Sequence, residues 1–266
     1  MKQLEKSEQL EYLEGLENRL REGFFTKEEG DQFRKEINSG VIQDDSKRNP
    51  YIHQRTIISN QLWMSENLRV SYFRNGDIIQ EAKSFEDWKR FFRDRIPAWC
   101  YYQFEPSIGG IFGKLYNKEA VNDPRGLAPY GWHIPTIEEW KVLISNLGGP
   151  SDAGGAMKST KKTGNPGLVY ICQSGIGVTG WSIEDIGSTN SSGFNGLPGG
   201  FLIAQSEFRS LGRDAYWWSS SKNENGSQLA CHVSYIGPYI GYNAGYEVCA
   251  LSVRSIRDYE TKISWV

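Results

Sequence analysis

Nine tryptophans are set among 29 glycines in a chain with only three methionines. Rings that large must be buried or pinned, while glycine lets the backbone between them take turns that other residues resist. The combination predicts an irregular, loop-rich fold braced by flat side chains, and argues against a helical bundle. With 266 residues there is room for one large core and a short extension.

Charge narrows the range of partners. Lys and Arg total 30 against 32 Asp and Glu, a net charge of −2. A general nucleic-acid binder needs a cation surplus to displace counterions from phosphates, so the balance argues against that class and leaves room only for a local basic patch. No apolar run reaches the roughly 18–20 residues needed to span a bilayer, so no transmembrane segment is expected. The opening residues lack the apolar stretch of a secretory signal, and the chain as written is expected in the cytoplasm. Cys100, Cys172, Cys231 and Cys249 form no CxxC pair and have no histidine at metal spacing. No metal site or other cofactor is expected, and reduced thiols are favoured.

Residues 1–40 read as a helical hairpin. Leu10, Leu13, Leu16 and Leu20 recur on one helical face, and Gly23 is placed to end that helix. Thr26 and Glu29 then form a capping-box pattern ahead of Phe33 and Ile37. A hairpin this small is rarely stable alone, so docking or homo-oligomerisation is its expected role. Residues 41–50 are polar and turn-rich, a linker.

Residues 51–260 read as one α+β domain with short antiparallel strands, two helices and long ordered loops. Strands are expected at 56–58 and 61–64 around Ser59-Asn60. The first helix starts at Ser84 and buries Trp88, Phe91 and Phe92. The second is capped by Thr136 with Glu139 and buries Trp140, Leu143, Ile144 and Leu147. Residues 151–215 read as loops, and further strands are expected at 215–218, 228–235 and 247–257. Alternation along the 228–235 strand predicts that Leu229, Cys231, Val233 and Tyr235 face inward while Ala230, His232 and Ser234 face outward.

Seven ordered motifs carry a family resemblance: 63–68 (Trp-Met-Ser-Glu-Asn-Leu), 97–102, 113–117, the dense 120–136, 192–200, 216–221 and 252–258. In this order they resemble the Fibrobacter succinogenes major paralogous domain, widespread in Bacteroidetes and related bacteria. The resemblance implies a C-type-lectin-like fold, a group that also holds formylglycine-generating enzymes, and it brings no settled activity. Many relatives are exported or lipid-anchored. Many also carry Cys where this chain has Ser255, some with a partner Cys near Ala128; neither position here has a thiol.

Catalytic chemistry finds little support. Residues 175–180 fit GxGxxG, but the sequence that follows has no helical face on which a dinucleotide could sit. His53, His133 and His232 stand near no recognisable nucleophile, and His133 reads as structural. Cys231 and Cys249 read as a buried thiol pair facing each other across strands. Glu105-Pro106-Ser107 only partly echoes the calcium motif of lectins with this fold, and calcium needs clustered oxygen ligands. No catalytic or metal-binding residue is assigned.

Binding is the stronger reading. Seventeen of the 31 residues from 216 to 246 are Tyr, Ser, Gly or Asn. Tyrosine offers contact area at small entropic cost, and the small polar residues adapt their hydrogen bonds. Candidate ligand-binding residues are Asn223, Asn225, Tyr235, Tyr239, Tyr242, Asn243 and Tyr246, for an unidentified protein or glycan. The same rings could instead fill the sheet's own core, and both readings stand at this point. The resemblance adds that proteins of this fold are targets of diversity-generating retroelements, which vary adenine-rich codons such as those for Asn, Ser and Tyr. The working expectation is a non-enzymatic recognition module; an oxidase related to formylglycine-generating enzymes and a structural cell-surface protein are the alternatives.

Overall fold

The tryptophans show how this chain folds. The structure, a computed structural model, describes residues 55–258 except 76, 130–131, 163–179, 204–206 and 245–248, together with ten scattered positions before residue 43. All eight described tryptophans are buried. Five of their indole N–H groups find acceptors: Trp63 in Gln61, Trp99 in the Ile79 carbonyl, Trp181 in the Gly196 carbonyl, Trp217 in Asn67 and Trp218 in the Tyr116 carbonyl. Each of these five rings therefore adds large apolar burial and a directional tether, in four cases to chain 15 or more residues away.

The architecture is α+β, with several small sheets and five helices among the described residues. Strands β1 (Arg55–Ile58) and β2 (Gln61–Met64) form the expected hairpin. Strand β3 (Gln80–Glu81) precedes helix α1 (Phe85–Arg93), where the Ser84 hydroxyl accepts the Asp87 N–H and Trp88 and Phe91 are buried. Strand β4 (Ala98–Cys100) pairs with β3 in parallel and antiparallel with β5 (Leu115–Tyr116); helix α2 (Pro106–Phe112) lies between β4 and β5. Helix α3 (Lys118–Val121) follows. In α4 (Ile137–Asn146) the Thr136–Glu139 capping box forms in full.

Strands β6 (Gly199–Ile203) and β7 (Glu207–Leu211) are a hairpin, and β8 (Asp214–Lys222), β9 (Gln228–Ser234) and β10 (Ile240–Ala244) form a three-stranded antiparallel sheet. Helix α5 (Ala153–Met157), β6 and β7 occupy the stretch expected to be loop, and α2 and α3 raise the helix count above two.

Residues 250–256 stitch the elements together. Leu202 and Ala250 exchange backbone bonds, as do Tyr116 and Leu251, and His133 and Ile256; Val253 accepts from Leu68 and Ser252 from Trp218. In place of the strand expected over 247–257 there is a run of isolated bridges ending in β11 (Ile256–Asp258), which pairs with β2. Every residue from 249 to 256 is buried. Among them, Arg254 lies over the Phe194 ring and donates to the Met64 and Phe194 carbonyls and to Asn67. Burial pushes its pKa down to about 9, against the opposing charge of Glu66, so it remains a cation at neutral pH.

The expected hairpin over 1–40 lies mostly outside the described residues, as do His53, Cys172, Tyr246 and the GxGxxG positions 175–179. Near the N-terminus, Lys2–Gln3 pairs antiparallel with Val41–Ile42, and Arg34 forms an ion pair with Glu17.

Candidate functional site

The β8–β9–β10 sheet separates two parts of the core. On one face Trp218 and Ala230 join the cluster of Trp99, Trp132 and Val253. On the other, Ala215, Trp217, Cys231, Val233 and Ile240 join Trp63, Trp140 and Phe194. The expectation that Ala230 and His232 look outward is therefore corrected. Ala230 is fully buried, and the His232 ring stacks on Tyr216 with its Cε1 2.5 Å from where a Cβ on Gly241 would lie. A simple inside–outside alternation fails because β9 is the central strand, with cores on both sides. Burial lowers the His232 pKa from its ordinary value, with Asp214 pulling the other way.

At one end of this sheet the β9–β10 turn is held from beneath. Lys158, whose side chain is fully buried, donates to Asp185 Oδ1 at 2.5 Å and to the carbonyls of Ile186 (2.7 Å), Ser234 (3.0 Å) and Gly237 (2.9 Å). Lys162 caps the other oxygen of Asp185. A surround of four oxygen acceptors that includes a carboxylate suits an ammonium ion, whose three N–H donors are shared among them, although burial outweighs the pull of Asp185 and lowers the Lys158 pKa from its ordinary value. The 182–187 loop docks on the same turn: the Ile186 N–H donates to the Tyr235 carbonyl at 2.8 Å, and Gly187 lies against Pro238. Helix α5 approaches so closely that a Cβ on Gly154 would stand 2.6 Å from the Pro238 and Tyr239 carbonyl oxygens.

On this braced base stand exposed apolar groups. Tyr239 and Tyr242 are each 45 % exposed, and Ile183, Ile186 and Ile236 more than half exposed. Among the described residues, five of the eight exposed large hydrophobic side chains thus belong to β10, its turn and the loop tied to that turn. Tyr239 folds back over Gly237, where a Cβ would meet its ring at 2.3 Å. Tyr235 is half-buried beside Arg213, and Tyr242 has Lys141 of α4 5.9 Å from its ring.

The sequence-derived residues do not form one patch. Tyr235 and Tyr239 flank the β9–β10 turn. Tyr242 and Asn243 are exposed but adjacent on β10, so they point to opposite faces. Asn223 and Asn225 lie in the β8–β9 turn at the far end of the seven-residue β9, roughly 20 Å away at 3.3 Å per residue. The Asn223 side-chain oxygen accepts the Asn225 and Ser227 N–H groups, so it is spent on shaping its own turn. Ile183 and Ile186 were missed by the sequence reading. Their signal was two isoleucines three apart in an otherwise polar Ser182–Gly187 window.

A thiol pair is not assembled. Cys231 lies in the Trp140 cluster and Cys249 in the Trp99 cluster, on opposite sides of the sheet, and Cys100 belongs to a third cluster with Trp88 and Phe112. Burial raises the Cys100 and Cys231 pKa values, which keeps both as thiols. His133 bonds Glu139 through Nε2 within the α4 cap. Among the described residues no group of three or more His, Cys, Asp or Glu side chains could hold a metal ion, and no helix is long and apolar enough to cross a membrane.

A family model described as the Fibrobacter succinogenes major domain matches residues 57–257. That range covers most of the chain, and the chain belongs to this family. No curated protein and no solved structure gives a match.

Proposed function

We propose that this member of the Fibrobacter succinogenes major domain family is a non-enzymatic recognition module on a C-type-lectin-like framework, engaging a protein or glycan through the β9–β10 end of its sheet. One observation carries the reading: exposed tyrosine and isoleucine side chains are concentrated on a turn fixed from below by the Lys158 ammonium. Concentrated apolar exposure beside polar chain is the usual mark of an interaction site. A pre-shaped turn also loses little entropy when a ligand orders it. The N-terminal hairpin would serve docking or self-association. The test is an unbiased capture experiment comparing wild type with Tyr239→Ala/Tyr242→Ala, both immobilised through the same terminus. Loss of specific captured molecules by the variant supports the reading; identical captured sets refute it.

A second reading, that the module is the variable protein of a diversity-generating retroelement, is favoured by a switch in burial. Residues 236, 239, 242 and 243 are exposed, whereas all of 249–256 are buried. Substitutions confined to the first group would change a ligand surface without touching the segment that closes the core. Sequencing the locus decides it: a neighbouring reverse transcriptase and an imperfect repeat of codons 216–258 are expected, and finding neither removes the idea.

A further inference from the structure

The opposite end of the sheet carries a different feature. A cleft of about 570 Å³ opens between the end of α1, helix α3 and the β8–β9 turn. Among the described residues, Arg93, Arg95, Lys118 and Lys222 contribute to its wall with a single carboxylate, Glu119. Four cations against Glu119 and the Asp94 paired with Arg93 leave a local excess of two positive charges among the described residues, in a chain whose net charge is −2. A concave wall of one sign focuses its field and concentrates counter-ions.

The cleft is built rather than incidental. Its inner edge is Gln228, only 1 % exposed, whose amide is fixed by donating to the Ser219 and Ser221 carbonyls while its oxygen accepts from Asn122. Arg95 sits just past the end of α1 with φ +52°, a left-handed conformation that is unfavourable for a non-glycine residue. Arg93 is shared with Asp94 beside the cleft. Among the described residues, Arg95 and Lys222 form no ion pair. Phe92 adds an aromatic wall, and Gly226, with open space where a side chain would be, leaves backbone accessible at the rim.

We propose that this cleft binds a small organic anion with two or more oxyanion charges, carried on a body that can lie against Phe92. Guanidinium forks match carboxylate and phosphate oxygens in pairs, and the volume suits a metabolite-sized molecule. The site stands apart from the tyrosine end and does not depend on it.

Isothermal titration of the full chain at constant ionic strength tests this, with citrate, pyrophosphate and ADP as probes and adenosine as the uncharged control. At least one anionic probe is expected to bind, citrate identifying a carboxylate preference and pyrophosphate or ADP a phosphate preference. Its Kd should rise tenfold or more in Arg95→Gln/Lys222→Gln and in Lys222→Gln alone, and stay unchanged in Tyr239→Ala/Tyr242→Ala. Silence from all three anions, binding of adenosine as tight as that of the anions, or undiminished affinity in the Arg95/Lys222 variants would overturn the proposal.

Discussion

Replacing Lys158 by Met keeps an unbranched side chain only one atom shorter and removes its charge and its donors. The amine satisfies one carboxylate oxygen and three backbone carbonyls where neither Lys158 nor Asp185 is exposed. An acceptor left unpaired in such a place costs about 1–3 kcal/mol, and breaking a buried ion pair by deleting one partner costs about 3–5 kcal/mol. The two figures describe overlapping losses, and Lys162 still serves Asp185 Oδ2. About 4 kcal/mol is therefore expected, or a fall in Tm of about 8–16 °C for a domain of this size. Lys162→Met is the control: its side chain is 39 % exposed, and a pair with one solvated partner is worth about 1 kcal/mol at most. Thermal and urea unfolding followed by near-ultraviolet circular dichroism measure both variants. Hydrogen exchange adds a local readout, because the Ile186 amide bonded to Tyr235 should lose protection. If Lys158→Met is within 1 kcal/mol of wild type, or no worse than Lys162→Met, the claim that this ammonium holds the turn is wrong.

Two further perturbations probe the same region. Because burial lowers the His232 pKa, the unfolded chain takes up the proton first as pH falls below about 6.5. Stability should drop from there until the folded-state value is reached, and His232→Gln should flatten the dependence over that window; urea titrations from pH 7 to pH 5 with equal slopes for both proteins would contradict this. Gly154→Ala should cost about 1–3 kcal/mol by driving the Pro238–Tyr239 backbone off α5, whereas Gly110→Ala in α2, with nothing within 4 Å, should be neutral or stabilising by up to about 1 kcal/mol; urea midpoints that move alike would undo the contrast.

Local chemistry made part of this legible in advance. Ser84 and Thr136 cap helices because the cap and its partner lie three residues apart, and the tryptophans are buried because nothing else suits rings of that size. Helix α5 was hidden because Ala-Gly-Gly-Ala-Met reads as loop by propensity. Its glycines are there for the turn that packs on them, more than 80 residues later in the chain. The Lys158–Asp185 pair spans 27 residues and has no sequence pattern. The tyrosine-rich composition pointed to β10 and its turn, but it could not show that Asn223 and Tyr239 lie at opposite ends of one sheet. The cationic cleft was invisible because Arg95 and Lys222 are brought together only by the closing of the sheet against α1 and α3.

The threading of residues 250–256 through the middle of the molecule bears on how the protein is made. Strand β2, Leu68, β5, β6 and β8 all wait for backbone partners that are synthesised after them. During translation those elements leave the ribosome without the piece that joins them, exposing apolar surface and open hydrogen-bonding groups to solvent. The domain can close only when its final segment has cleared the exit tunnel, so folding is a late event, and a nascent chain stalled before residue 250 should be a substrate for chaperones.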